Sequence, residues 1–338
     1  NMYLINFILI IIFNLLYYLN LKKISKLIGI FDFPDQKRKK HLRIVPPIGG
    51  ICIFLSISVF SFLSFVYSDQ EVFSDFYFID NKIDLKSILS FYLCTTLLIF
   101  LGIADDKNGI GANIRLLFFA VIYYLAMMFD DQLLLSTIKI KSLDIIIDLE
   151  KLGPFFTILC FLVLINALNM FDGINIQTGL FCLIIFTIFF VKGIFANLSM
   201  VLIISLIFFI YFNFKDKVFM GNHGVYFISF IITFFIIKNY NSSVNISAEE
   251  VYLILYLPIL DLLRLFVVRI YKNNNPFIGD RNHIHHYLNQ KLNSFLKTSL
   301  LTNVIAFTPF LIFTFYKSFN VLIFTTILYF ILILILRK

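Results

Sequence analysis

Charged residues are scarce in this sequence, at 14% of 338 residues, while hydrophobic residues make up 60%. A soluble chain of this length buries a large core but still needs many charges on its surface. The low charge therefore excludes an ordinary soluble domain, and lipid must face much of the protein. Period-two alternation is absent from most apolar segments, which excludes a transmembrane β-barrel. The segments are near the roughly 20 residues that one membrane-spanning helix needs.

Cysteine pairs and repeats are also missing, and no cleavable leader is expected. The four cysteines lie inside apolar segments and form no C-x-x-C pair, so we interpret them as packing residues. Residues 2–20 lack a basic start and a small-residue cleavage site, which predicts a retained helix and not a signal peptide. No internal repeat or low-complexity linker divides the chain. We therefore expect a single membrane domain over residues 1–338.

The apolar segments predict an all-α, polytopic membrane protein with about eleven transmembrane helices. The predicted spans are 2–20, 48–67, 87–104, 114–129, 154–168, 176–191, 197–212, 223–239, 249–268, 298–316 and 319–336. Between two of them, residues 135–150 partly alternate in polarity and predict a small external hairpin.

Orientation follows from the enrichment of basic residues in cytoplasmic loops. When the loops are assigned alternately to two sides, 20 of the 28 Lys and Arg residues fall on one side. That side includes residues 21–47, 105–113 and 269–297 together with the C-terminus. It is predicted to be the cytoplasm, which places the N-terminus outside and the C-terminus in the cytoplasm.

Two adjacent acids, Asp105 and Asp106, follow the predicted helix 87–104. Neighbouring carboxylates repel one another, and desolvation at the edge of a bilayer adds to the cost. A divalent cation or a proton would relieve both effects. The alternative interpretation is a solvated helix end.

Three oxygen-bearing side chains occur at the end of the predicted helix 154–168. Asn166, Asn169 and Asp172 are spaced i, i+3, i+6, which keeps them roughly on one helical face. Such oxygens suit a hard cation such as Mg²⁺, which binds few protein oxygens together with substrate phosphate. The alternative is a polar helix cap.

The segment GNHG, residues 221–224, precedes a predicted helix. Its glycines would let backbone N–H groups approach a phosphate at the helix N-terminus. A plain turn explains the segment equally well.

Three of the five histidines, His283, His285 and His286, fall within four residues and lie beside Arg281. Arginine and histidine donors favour an anionic nucleotide as the ligand. Zinc and a solvated turn are the alternatives, although no second Cys or His cluster completes a tetrahedral zinc site.

A basic run in the first predicted cytoplasmic loop includes Lys39, Lys40 and His41, and PPIGG follows at residues 46–50. Membrane orientation and attraction to anionic lipid account for part of the run. The prolines and paired glycines indicate a shaped loop that returns into the bilayer.

Taken in order, these motifs resemble those of the bacterial polyprenyl-phosphate N-acetylhexosamine-1-phosphate transferases of glycosyltransferase family 4. The phospho-N-acetylmuramoyl-pentapeptide transferase is a more distant relative, and the His-x-His-His motif resembles the sugar-initiator branch. The matching pieces are RKKH with PPIGG (38–50), GIADD (102–106), NALNMFDG (166–173), GNHG (221–224), PILD (258–261) and DRNHIHH (280–286).

The resemblance implies that polyprenyl phosphate attacks the β-phosphorus of a UDP-HexNAc, giving polyprenyl-diphospho-sugar and UMP. This step initiates a cell-envelope glycan such as O-antigen. It implies Mg²⁺ as the cofactor, with Mn²⁺ as an alternative, and a site on the cytoplasmic face of the bacterial inner membrane. Membrane lipids are expected neighbours and nucleic acid is not an expected partner. A homodimer is left open.

The same resemblance implies roles for the candidate residues. Asp105, Asp106 and Asp172 would be catalytic, and Asp106, Asp172 and Asn222 would bind the metal. The residues that would bind substrate are Lys39, Lys40 and His41 at the lipid phosphate, Arg281, His283, His285 and His286 at the nucleotide diphosphate, and Asn166 and Asn169.

Two positions depart from the family pattern, because Asn175 and Asn222 occur where the family usually has aspartate. An amide oxygen can bind Mg²⁺ but brings no charge, so metal affinity should be lower. One alternative is therefore a relative that binds prenyl phosphate or nucleotide without turnover. A transporter is another, although the acids lie at loop edges and the apolar spans are largely uncharged.

Overall fold

A computed structural model of the chain describes residues 2–32, 44–66, 85–242, 246–275 and 281–337. It consists of thirteen α-helices and one two-stranded hairpin within these ranges. In chain order they are α1 Met2–Leu19, α2 Leu21–Ile28, α3 Gly49–Val66, α4 Leu85–Asn108, α5 Ala112–Phe129, β1 Thr137–Ile140, β2 Ile145–Asp148, α6 Gly153–Phe171, α7 Gln177–Val191, α8 Ala196–Phe214, α9 Gly221–Asn241, α10 Ala248–Tyr271, α11 Ile284–Leu292, α12 Phe295–Tyr316 and α13 Asn320–Arg337.

The all-α polytopic fold is confirmed. In the described ranges, nine helices are long and apolar enough to cross a membrane. The bent pair α1–α2 gives a tenth candidate, and α7 is a shorter apolar helix. Each of the eleven predicted spans coincides with one apolar helix to within a few residues. The number that cross the bilayer and the orientation of the termini stay predictions.

Two helices, α2 and α11, lie in segments that the sequence pattern assigned to loops. Both are short and amphipathic, LKKISKLI and IHHYLNQKL, so neither produces a long apolar segment. Helix α2 is bent by 74° from the direction of α1. The hairpin predicted within residues 135–150 is confirmed as β1 and β2, which pair antiparallel, and its external location stays a prediction.

The chain forms two compact units, each assembled from several segments. The first unit comprises Asn1–Gly111, Met128–Asp130 and Gly179–Ile231, and the second comprises Ala112–Met127, Asp131–Thr178 and Ile232–Lys338. The expectation of a single transferase domain stays a prediction.

Helices α1, α3 and α8 pack together in the first unit. Asn14 of α1 is fully buried, and its Nδ2 donates a hydrogen bond to Oγ of Ser56 at 3.0 Å. The hydroxyl of Tyr17 donates to the carbonyl of Ile48 at 3.0 Å. Polar contacts of this kind supplement van der Waals packing between helices in lipid.

The PPIGG segment lies along the residues that lead into α9. The N–H groups of Gly49 and Gly50 donate to the carbonyls of Phe219 and Met220, each at 2.9 Å. A Cβ added to Gly50 would lie 2.1 Å from Cα of Gly224, which leaves no room for any side chain. The predicted shaped loop is therefore a backbone-paired segment that holds α3 against the start of α9.

Helix α10 packs against α6 and α12 in the second unit. Its N-terminus carries a capping box, in which Ser247 and Glu250 satisfy each other's backbone N–H groups. Pro258 lies inside α10. The hydroxyl of Tyr256 donates to the carbonyl of Ile305 at 2.7 Å and ties α10 to α12.

Candidate functional site

Asp105 and Asp106 occupy the last turn of α4 and contact the first turns of α9. Asp105 is 4% exposed, and its Oδ2 accepts hydrogen bonds from the hydroxyl of Tyr226 at 2.6 Å and Nδ2 of Asn222 at 2.9 Å. Its Oδ1 accepts from the N–H of Ile110 at 2.7 Å. These donors orient a carboxylate that is almost out of contact with solvent.

Asp106 receives a second set of donors from α9. The N–H of Asn222 donates to its Oδ1 at 3.0 Å. Nδ1 of the fully buried His223 lies 2.6 Å from its Oδ2. We call Asp105, Asp106, Asn222, His223 and Tyr226 the carboxylate cluster.

Glycines explain why α4 comes so close to α9. A Cβ at Gly102, one turn before Asp106, would lie 2.1 Å from Cα of His223. Gly221 has φ +77°, a conformation that favours glycine, and its added Cβ would lie 2.4 Å from Cε1 of His223. The sequence GNHG is therefore the first turn of α9 and not a free loop. Its N–H groups at Asn222 and His223 face Asp106 in this structure.

The carboxylate cluster has the donor chemistry that a hard cation requires. Each oxygen of Asp105 and Asp106 accepts one or more hydrogen bonds, so both carboxylates are held in place. No group of three His, Cys, Asp or Glu side chains within the described ranges is arranged as a metal site. The adjacent carboxylates of Asp105 and Asp106 are themselves the kind of ligand that Mg²⁺ takes, one or two at a time, with water and substrate phosphate in the rest of its shell.

The polar residues at the end of α6 lie in the second unit. Asn166 and Asn169 are half-buried, and Nδ2 of Asn166 donates to the carbonyl of Leu162 at 2.7 Å. Asp172 is the exposed C-cap of α6, and its own N–H donates to the carbonyl of Leu168. The prediction that Asp172 binds metal together with Asp106 and Asn222 stays a prediction.

Asp261 in α10 is the centre of the second polar cluster, and sequence reasoning gave it no role. Its Oδ1 accepts from Arg264 at 2.7 Å and from the hydroxyl of Tyr329 at 2.8 Å. Its Oδ2 lies 2.8 Å from Nδ1 of His283 and accepts from the N–H of Ile284 at 3.2 Å. Asp261 thus fixes the start of α11, where the histidine motif begins.

The three histidines of the motif occupy different environments. His283 is 4% exposed and turned toward Asp261, and His285 is fully buried. His286 and Arg281 are partly exposed. Of the four residues predicted to hold a nucleotide diphosphate, only Arg281 and His286 therefore present much surface to a ligand. The predicted lipid-phosphate residues, Lys39, Lys40 and His41, lie outside the described residues.

His285 contacts the turn that follows α6. A Cβ at Gly173 would lie 2.4 Å from Nε2 of His285, so only glycine fits beside this ring. Neither ring nitrogen of His285 has a hydrogen-bond partner among the described residues. Burial, followed by the neighbouring His286 and His283, holds the pKa of His285 well below its ordinary value. Its ring is therefore neutral at neutral pH.

Sequence reasoning missed several residues that hold these clusters, namely Tyr226, His223, Asp261, Arg264 and Tyr329. Tyr226 is one of 17 tyrosines, and no motif distinguishes it. Asp261 ends the PILD motif, but its partner Tyr329 lies 68 residues further along the chain. The one sequence signal for Tyr226 was its position four residues after Asn222 in a predicted helix. Residues with this spacing lie on the same helical face.

Comparison with known proteins yields one family. The model of glycosyl transferase family 4 matches residues 88–239, which include the GIADD, NALNMFDG and GNHG motifs. The undecaprenyl-phosphate alpha-N-acetylglucosaminyl 1-phosphate transferase of Escherichia coli (strain K12) is 28% identical over 292 residues, covering 82% of this chain and 74% of the relative. The Salmonella typhi protein of the same name is 29% identical over 295 residues, with the same two coverages.

A more distant bacterium gives a similar result. The probable undecaprenyl-phosphate N-acetylglucosaminyl 1-phosphate transferase of Bacillus subtilis (strain 168) is 26% identical over 275 residues, covering 79% of this chain and 72% of the relative. With these matches, the chain is similar to proteins of glycosyl transferase family 4, the family that the order of its motifs predicted.

Proposed function

We propose that this protein transfers an N-acetylhexosamine 1-phosphate from a UDP-sugar to undecaprenyl phosphate. A phosphate oxygen of the lipid attacks the β-phosphorus, the bond from that phosphorus to the bridging oxygen breaks, and UMP leaves with that oxygen. The product begins a cell-envelope glycan. Relatives named for this activity support the proposal, and the observation that carries it is the pair of buried Asp105 and half-buried Asp106 with its ordered donors.

The carboxylate cluster suits phosphoryl transfer, in which positioning and charge neutralisation dominate. A divalent cation, Mg²⁺ or Mn²⁺, bound by Asp106 and Asp105 would neutralise charge on the substrate diphosphate. Tyr226 and Asn222 hold Asp105 in one orientation, and His223 holds Asp106. Because these positions are fixed before substrate arrives, little reorganisation is needed during the reaction.

The second cluster is proposed to serve the donor nucleotide. Arg281 and His286 are the partly exposed residues of the histidine motif. Their side chains can donate hydrogen bonds to phosphate oxygens. In this proposal His283 and Asp261 orient α11 and do not contact the nucleotide. We place the reaction at the cytoplasmic face of the inner membrane, where the predicted cytoplasmic loops hold these motifs.

Release of UMP from UDP-sugars by the purified protein with undecaprenyl phosphate tests the proposal. Asp105→Asn, Asp106→Asn and Asp172→Asn should each lower turnover by at least about 100-fold, the scale of losing one strong electrostatic contributor. Asp144→Asn is the matched control, because Asp144 lies in the hairpin turn. Near-normal turnover in all three variants would contradict the assignment.

A second candidate is a relative that binds substrate without turnover, and Asn222 is the observation that favours it. Its amide donates to Asp105 where the family usually has a carboxylate. This candidate predicts that wild-type protein releases no UMP from any UDP-sugar at any Mg²⁺ concentration. A donor screen across UDP-N-acetylhexosamines distinguishes the two and names the sugar.

A further inference from the structure

The external hairpin has one face composed of isoleucines. In its antiparallel register Ile138 pairs with Ile147 and Ile140 pairs with Ile145. Paired residues share a face, and residues two apart on a strand share it as well. These four side chains therefore form one surface, which we call the isoleucine face.

The hairpin is attached to the second unit by its edge and its tip. The hydroxyl of Tyr240 accepts from the N–H of Lys139 at 2.6 Å and donates to the carbonyl of Thr137 at 3.3 Å. At the tip, the N–H and the hydroxyl of Ser142 donate to Oε1 of Glu249 at 2.7 and 2.9 Å. These four hydrogen bonds use an edge and a turn. Strand β1 is half-buried along its whole length, while all four residues of β2 are exposed, including Ile146 on the opposite face.

Much of the isoleucine face is consequently uncovered. Ile145 is 44% exposed and Ile147 is 45% exposed, and Leu143 at the tip is 45% exposed. Ile138 and Ile140 are half-buried. A contiguous apolar patch outside the spanning helices marks a surface that contacts something other than water.

The position of the hairpin relative to the ends of α9 and α10 indicates that lipid contacts the isoleucine face. Tyr240 lies in the last turn of α9 and Glu249 in the first turn of α10, and both helices are candidate spans. Tyr240 and Glu249, which hold the hairpin, therefore lie at the ends of two candidate spans, where such helices would leave the bilayer.

The chain also runs from the hairpin directly into lipid-facing surface. The candidate span that contains α6 begins at Glu150, two residues after β2 ends. Leu152 and Phe155 at its start are 67% and 69% exposed. The hairpin is thus followed directly along the chain by exposed apolar residues of a candidate span.

We propose that the isoleucine face of the hairpin inserts into the boundary between headgroups and acyl chains of the leaflet at this end of α9 and α10. Surface segments with one apolar face bind membranes in this way. Lys141 and Asp144 in the turn bring charges of both signs, which suits zwitterionic headgroups. The proposal is independent of the reaction proposed above, because it uses none of the clusters assigned to substrate.

The absence of tryptophan from the chain gives a direct test, since one introduced tryptophan reports its own surroundings. Ile147→Trp places it on the isoleucine face, and Ile146→Trp places it on the opposite face of the same strand. Both proteins are reconstituted into phosphatidylcholine vesicles with and without lipids brominated near the headgroup. Ile145→Trp repeats the test on the isoleucine face if Ile147→Trp does not fold.

Bromolipid should quench the Ile147→Trp protein at least about twofold more than the Ile146→Trp protein, because only the apolar face enters the interface. Aqueous iodide should give the reverse order. Equal bromolipid quenching in the two proteins would overturn the proposal. Protection of Ile147→Trp from both quenchers would also overturn it, because a protein contact and not lipid would then cover the face.

Discussion

Nδ2 of Asn222 donates a hydrogen bond to Oδ2 of Asp105 across 2.9 Å, while the N–H of the same residue donates to Asp106. One residue thus contacts both acids of the carboxylate cluster. It does so at the position where the family usually has a third acid. The amide stabilises the Asp105 carboxylate here by donating a hydrogen bond, whereas a carboxylate at this position would need a cation.

The stability of the Asn222→Asp protein should therefore depend more on bound metal than that of wild type. Its activity should need a lower metal concentration. Without Mg²⁺ the added charge repels Asp105 and lowers the apparent Tm. With Mg²⁺ the loss should be recovered, and half-maximal turnover should need less Mg²⁺ than in wild type.

Asn222→Ala is the control, because it removes the donor without adding charge. Thermal unfolding in EDTA and in Mg²⁺, with a Mg²⁺ titration of UMP release, provides the measurements. An unchanged Mg²⁺ response in Asn222→Asp would mean that residue 222 does not face the metal.

Tyr226→Phe should lower kcat by about tenfold, since a hydrogen bond to a charged group contributes about 1.5–3 kcal/mol. The ring stays, so packing is preserved while Asp105 loses one donor. Tyr124→Phe, at an exposed tyrosine of α5, is the matched control. Steady-state kinetics and thermal unfolding are compared. A fall in Tm with unchanged kcat would show that Tyr226 serves only the fold.

Asp261→Asn should be among the most destabilising single changes, at about 3–5 kcal/mol, because it leaves the Arg264 guanidinium without its buried carboxylate. Tyr329→Phe removes one hydrogen bond to the same carboxylate and should cost about 1 kcal/mol. Thermal unfolding in one detergent ranks the two variants. If Tyr329→Phe is as damaging as Asp261→Asn, the carboxylate is not the centre of this cluster.

Gly173→Ala should lower turnover by about 10- to 100-fold, because the added methyl group displaces either His285 or the turn after Asp172. In a His285→Ala background the same change should cost little, since the clashing ring is gone. Gly111→Ala is the control, at a glycine with no atom near an added Cβ. Additive losses in the double variant would contradict a direct contact between residues 173 and 285.

His285 should make the folded protein less stable as the pH falls. Burial lowers its pKa in the folded state, while the unfolded chain has an ordinary pKa of about 6.5. Below that pH the unfolded state binds a proton that the folded state does not, so stability present at higher pH is lost as pH falls. Between about pH 7.5 and 5.5, the apparent Tm of His285→Asn should fall less than that of wild type. Equal falls in the two proteins would contradict this.

The helices of this protein could be predicted from sequence because long apolar segments have one favourable conformation in lipid, in which the backbone satisfies its own hydrogen bonds. Helices α2 and α11 could not, because their stability comes from packing of amphipathic faces and not from a long apolar segment. The hairpin was predictable from its alternating polarity.

The acids and histidines of the candidate site could be predicted from the sequence, but the residues that hydrogen-bond to them could not. Asp105 is tied to Tyr226 across 121 residues, and Asp261 to Tyr329 across 68. Such pairs depend on which helices meet, which composition does not encode. The glycines of GNHG are predicted from sequence to let backbone N–H groups approach a phosphate, whereas in the structure they let α9 begin in contact with α4.

The close approach at Gly102 restricts the direction in which the first unit can move. Backbone already touches backbone where α4 meets His223, and again where Gly50 of α3 meets Gly224. Neither pair can be brought closer, so no movement within this unit can shorten these two contacts. A variant that adds a methyl group there, such as Gly102→Ala, would therefore push α4 and α9 apart.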